Sequence, residues 1–129
     1  MGEIPEPTLS AEERAAFDKG VREFNDAFYF ECHDTLEELW SGLRGPARDF
    51  FQGLIQVAVG HYHLGSGNRA GAASMFERAL HRLERYPCRY FGFDLEQQCA
   101  ELRSWLQQLA AGDRGVAAAK DVRPHWRFE

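Results

Sequence analysis

Nowhere in this sequence do basic residues gather. Lys and Arg are scattered through a chain of net charge −5. The nearest approach to a basic run, Arg78, Arg82 and Arg85, is interleaved with Glu77 and Glu84. Nucleic-acid binding needs a basic face that displaces counterions. No nucleic-acid partner is therefore expected, and the stretch reads as a solvated helix face with ion pairs. Paired cysteines are lacking too. Cys32, Cys88 and Cys99 are odd in number and show no C-x-x-C spacing, which argues against a disulfide framework or zinc knuckle and predicts reduced intracellular thiols. No apolar run suits a membrane span, because the longest uncharged segment, residues 50–68, contains Gln52, Gln56, His61 and His63. The opening MGEIPEPTLSAEE is acidic and Pro-containing, unlike a signal peptide, and Glu6 stands where a myristoylation signal wants Ser or Thr. A soluble cytoplasmic protein is expected. Strand-period segments of useful length are also missing, and so is any repeat of the chain's own pattern.

What remains is helical. At 129 residues the chain is long enough for one domain with a single core, and 44% hydrophobic content is that of a globular protein. Ser10 with Glu13 forms a capping-box signal, and Phe17, Val21, Phe24 and Phe28 then mark an apolar stripe at helical spacing. A second helix is predicted over residues 31–41, with Cys32, Leu36, Leu39 and Leu43 buried, and "SGLRGP" ends it. The third, over about 47–65, carries no charge between Asp49 and Arg69 and is apolar nearly all round, so it should be the centre of a bundle. Asn68 or Ser66 caps a fourth helix that forms an antiparallel hairpin with the third, and Pro87 stops it. Asp94 with Gln97 opens a fifth, ended by Gly112. The predicted class is all-α: a single bundle of about five helices, with an N-terminal arm at 1–9, the helical domain at 10–111 and a tail at 112–129. The tail has weak periodicity and reads as extended or partly disordered. Its Trp126 and Phe128 are aromatic anchors for docking on the body or on a second subunit.

Polar residues on these helices locate a candidate site. At about 100° per residue, His33 and Glu37 lie side by side at the margin of the buried stripe next to Trp40, while Asp34 and Glu38 turn to solvent. In the central helix Gln52, Gln56 and His63 stack on one line, with His61 on the other side. A buried amide or imidazole without a partner costs about 1–3 kcal/mol, which predicts a polar seam between the second and third helices containing His33, Glu37, Gln52, Gln56 and His63. Three readings of that seam compete. It is a hydrogen-bond network that fixes helix register and holds Trp40. Or it is a small-ligand or catalytic pocket with Glu37 as base and His33 or His63 as partner. Or it is a divalent-metal site of His33, Glu37 and His63. Two Gln side chains are poor ligands and good hydrogen-bonders, which favours the network. His81, among charged neighbours, reads as a surface residue.

The sequence also resembles a known family. "FNDAFYFECHDTLEELW" followed by "FFQGLIQVAVGHYHLGSGNRAGAASMFERALHRLERYP" is similar to the small helical proteins grouped as domain of unknown function 309. The resemblance runs through Phe24, Asn25, Tyr29, Phe30, Glu31, His33, Leu36, Glu37 and Trp40, then Gln52, Gly53, Gln56, His63, Gly67, Asn68, Gly71, Ala72, Tyr86 and Pro87. Asp34 stands where the family more often has Glu, and Ala27 where it often has Gly. The likeness implies an all-α bundle and carries no activity with it. It adds Glu31 to the candidate site, as a cap of the second helix or a polar arm reaching the seam. The functional expectation is a binding or scaffold module whose polar seam is structural or a small-ligand pocket, with a homo-oligomer or protein partner in view. The alternative is a metalloprotein or hydrolase-type enzyme using His33, Glu37 and His63.

Overall fold

The computed structural model describes residues 4–112 and 124–129. Among the described residues there are five helices, α1 (Ala11–Asn25), α2 (Tyr29–Ser41), α3 (Ala47–Gly65), α4 (Arg69–Leu83) and α5 (Leu95–Ala111), and one two-residue hairpin, β1 (Arg89–Tyr90) with β2 (Phe93–Asp94). The chain is all-α, as the periodicity predicts. No helix of the described residues is long and apolar enough to cross a membrane.

Local chemistry sets the helix ends. The Ser10 hydroxyl accepts from the Glu13 N–H at 3.1 Å while the Glu13 carboxylate accepts from the Ser10 N–H at 2.9 Å, a complete capping box. Asn68 caps α4 by accepting from the Gly71 N–H, and Asp94 caps α5 by accepting from the Gln97 N–H. α2 begins at Tyr29, ahead of the predicted start at 31. The turn before it is tight: Ala27 has φ +66°. The left-handed region costs an L-residue roughly 1–2 kcal/mol, which explains why a Gly belongs there in the resembling family.

Successive helices pack on one another, α1 on α2, α2 on α3, α3 on α4 and α4 on α5. α3 therefore lies at the centre, with Phe50, Phe51, Leu54, Val57 and Ala58 fully buried. The α3–α4 hairpin is close because α3 offers no side chain at two points. A Cβ on Gly53 would meet Leu83 Cδ2 at 2.7 Å, and one on Gly60 would meet Phe76 Cε1 at 2.4 Å.

The hairpin between α4 and α5 had no sequence signal, because two residues per strand are too few for a period of two to be visible. It has a job all the same. Phe93 bridges to Phe128, whose ring stacks on it at 4.4 Å, and Trp126 beside it is buried. Residues 124–129 thus return to the body of their own chain. The rest of the predicted tail, 113–123, lies outside the described residues.

Candidate functional site

The residues of the predicted seam fall at two places along α3. At the α2 edge, each ring nitrogen of His33 faces a carboxylate oxygen. Its Nε2 is 3.1 Å from Glu37 Oε2, and its Nδ1 is 3.4 Å from Asp34 Oδ1. The i,i+4 geometry anticipated for His33 and Glu37 is present. Glu37 is exposed, however, as are Glu31 and Asp34, and His33 is three-quarters covered. The His33 ring lies 5.8 Å from Phe30, Phe30 lies 5.4 Å from Tyr62, and Tyr62 lies 5.9 Å from His63. His63 Nδ1 is 3.4 Å from the Asn68 amide. His33 and His63 therefore flank an exposed Phe30–Tyr62 pair. Among the described residues no hydrogen bond joins His33 or Glu37 to Gln52, Gln56 or His63. Trp40 is half-buried with the Arg48 guanidinium 3.8 Å above its ring, a cation–π contact.

Gln52 and Gln56 belong to the other place. With Asp49 they form the floor of a cleft of about 690 Å³ whose far wall is α4 and the turn after it: Glu77, Arg78, His81 and Arg82, then Arg85. Arg82 and Arg85 both hydrogen-bond the Asp49 carboxylate across the helix pair. Gln56 is 6% exposed, and its side-chain oxygen is fully buried with no donor in reach among the described residues. An acceptor of this kind is uncommon, because leaving one unsatisfied costs about 1–3 kcal/mol. The sequence reads this charged face as solvated and ion-paired, with His81 on the surface, and does not place it in a site, although that signal was available. Arg78, His81, Arg82 and Arg85 recur at i, i+3, i+4 and i+7, and the predicted hairpin puts that face beside the Gln stripe.

Metal chemistry finds no donor set here: among the described residues no group of three or more His, Cys, Asp or Glu side chains could hold a metal ion. All three cysteines are free, and Cys32 is buried, which pushes its thiol well above the usual range and leaves it an inert, protonated group.

Residues 17–75 match the model of the family called domain of unknown function 309 (DUF309). The chain resembles DUF309 over that segment. A 57-residue stretch is also 39% identical to the uncharacterised protein YpuF of Bacillus subtilis (strain 168), covering 43% of this chain and 33% of that protein. This chain thus matches a third of its relative's length. The DUF309 segment contains His33, Glu37, Trp40, Gln52, Gln56 and His63, whereas the charged wall from Glu77 to Arg85 lies beyond it. The matched segment thus supplies the floor of the cleft and stops short of its charged wall.

One buried histidine went unassigned in the sequence. His61 is 5% exposed and ringed by Phe24, Tyr29, Phe76 and Trp105, at 5.8, 5.4, 4.9 and 5.6 Å between centroids. Burial among these rings lowers its pKa from 6.5 to about 3. Between those two values the unfolded chain binds the proton and the folded chain does not. Neutral His61 therefore contributes fully above pH 6.5, and its contribution is lost as the pH falls toward 3. Going from pH 7 to pH 5 is expected to remove about 2 kcal/mol of stability through this residue. Denaturant titrations at the two pH values check it: the His61→Leu variant should show a loss smaller by about that amount, and an unchanged loss would contradict the assignment.

Proposed function

We propose that this protein is a soluble, cytoplasmic binding module that takes a small ligand in the cleft between α3 and α4. One observation carries the reading: the unpartnered oxygen of Gln56 at the floor of a polar cleft. A pure register-fixing network would use that oxygen inside the protein, since a half-satisfied network is worse than an apolar core. A donor group brought by a ligand supplies the missing hydrogen bond. The terminal torsion of a Gln is soft, so a turn of the carboxamide presents its oxygen to the cleft. The cleft also offers what small-ligand sites have, a concavity of several hundred Å³ with a few convergent polar groups. Free thiols at Cys32, Cys88 and Cys99 fit a reducing compartment.

The test is Gln56→Leu, which replaces the carboxamide by an apolar group of similar size. If the oxygen is kept for a ligand, the free protein should lose no stability and should gain about 1 kcal/mol, while small molecules that shift the cleft resonances of the parent protein should no longer do so. If Gln56 instead holds the helices in register, the variant should lose about 1–3 kcal/mol, and ligand responses should follow stability alone. Chemical denaturation combined with ¹H–¹⁵N correlation spectra reads both quantities.

A further inference from the structure

The charge of the cleft narrows the ligand. Three guanidinium groups, Arg78, Arg82 and Arg85, face two carboxylates, Asp49 and Glu77. The cleft is thus net positive on a chain whose net charge is −5. Arg82 and Arg85 each give one nitrogen to the single carboxylate of Asp49. A guanidinium has five N–H donors in a fixed fork, so both arginines keep donors to spare. Arg78 has no ion-pair partner among the described residues. A cationic ligand meets this excess unfavourably. A nucleic-acid backbone finds no continuous basic face, since carboxylates interrupt it. A compact anion meets surplus donors in the planar arrangement that suits carboxylate and phosphate oxygens.

We infer that the cleft binds a small oxyanion, a phosphate monoester or a carboxylate, that carries a hydroxyl or amide N–H next to its charged group. Arg78, with the free donors of Arg82 and Arg85, holds the anionic end. The Gln56 oxygen accepts from the neighbouring O–H or N–H, and Gln52 lines the floor between them. This assignment rests on the cleft reading above and adds the chemical class.

The experiment is a titration of the ¹⁵N-labelled full chain with three probes: inorganic phosphate, malate (whose hydroxyl adjoins a carboxylate) and uncharged acetamide. Resonances of the Gln56 side-chain amide and the Arg78 Nε–H are followed. Phosphate or malate should shift both saturably, and whichever binds more tightly identifies the oxyanion. Arg78→Gln, at an exposed position, should weaken that binding about tenfold. Arg14→Gln, on α1 and outside the cleft, should leave it unchanged and so controls for general charge. Equal weakening by Arg14→Gln, or no response to either anion, would overturn the inference. A response to acetamide without one to the anions would remove the oxyanion and keep the cleft. Silence toward all three probes would remove the cleft reading as well.

Discussion

Trp126→Ala is expected to cost about 3–5 kcal/mol of folding stability, the range for truncating a fully buried large aromatic. The indole is 2% exposed and stacks on Phe24 with centroids 3.6 Å apart and planes 3° from parallel. Its Nε1–H donates to Gln98 Oε1 at 2.9 Å, and Gln98 is itself buried. The backbone is clamped as well. Asn25 accepts from the Trp126 N–H at 2.7 Å and donates to the Trp126 carbonyl at 2.9 Å, so one side chain mimics a strand partner. Removing the indole leaves a cavity between α1 and α5 and an unpaired amide oxygen on Gln98. Trp126→Phe keeps part of the stack and loses the N–H, so its cost should be smaller, about 1–3 kcal/mol. Equilibrium unfolding followed by circular dichroism measures both. A loss below 1 kcal/mol for the alanine variant would mean that residues 124–129 do not belong to the folded core.

The second large effect lies in the α3–α4 hairpin. Glycine inside a helix usually costs about 1 kcal/mol against alanine, so replacing it should stabilise the chain. At Gly60 the sign reverses. An added Cβ would sit 2.4 Å from Cε1 and 2.6 Å from Cδ1 of Phe76. That ring cannot yield, because it is fully buried against His61 at 4.9 Å and near Trp105 at 6.1 Å. Gly60→Val is therefore expected to lose about 3 kcal/mol, the upper part of the overpacking range, and to widen the helix pair that forms the cleft. Gly65→Ala is the internal control, for nothing lies within 4 Å of its would-be Cβ. That variant should be neutral or slightly stabilising by thermal and denaturant unfolding. A stable Gly60→Val would contradict the close approach of α3 and α4.

Much of this fold was legible because its signals are local. Ser10–Glu13, Asn68 and Asp94 announce helix starts within four residues, and α3 declares itself by an apolar surface on all sides. What could not be read was the choice of neighbour. Gln52, Gln56 and His63 lie on a line of α3 between α2 and α4, and helical phase alone does not say which helix that line faces. The structure gives the glutamines to the α4 cleft and sets His63 against Asn68 and Gly71 at the start of that helix. Likewise, the i,i+4 pairing of His33 with Glu37 follows from spacing, but the exposure of Glu37 depends on how far α2 is rotated against α3. The docking of Trp126 joins residues about a hundred positions apart and leaves no trace in any local window. Ala27 shows the reverse, a local departure from a pattern that acquires its meaning only from a backbone angle.

The proposed binding site is the α3–α4 cleft, and a small-molecule fragment screen by ¹H–¹⁵N correlation spectra of the full chain tests that proposal most directly. The expected result is that responding fragments shift a common set of resonances around Asp49, Gln52, Gln56, Arg78 and Arg82. Fragments that gather instead on the exposed Phe30–Tyr62 surface, leaving the cleft unmoved, would contradict it.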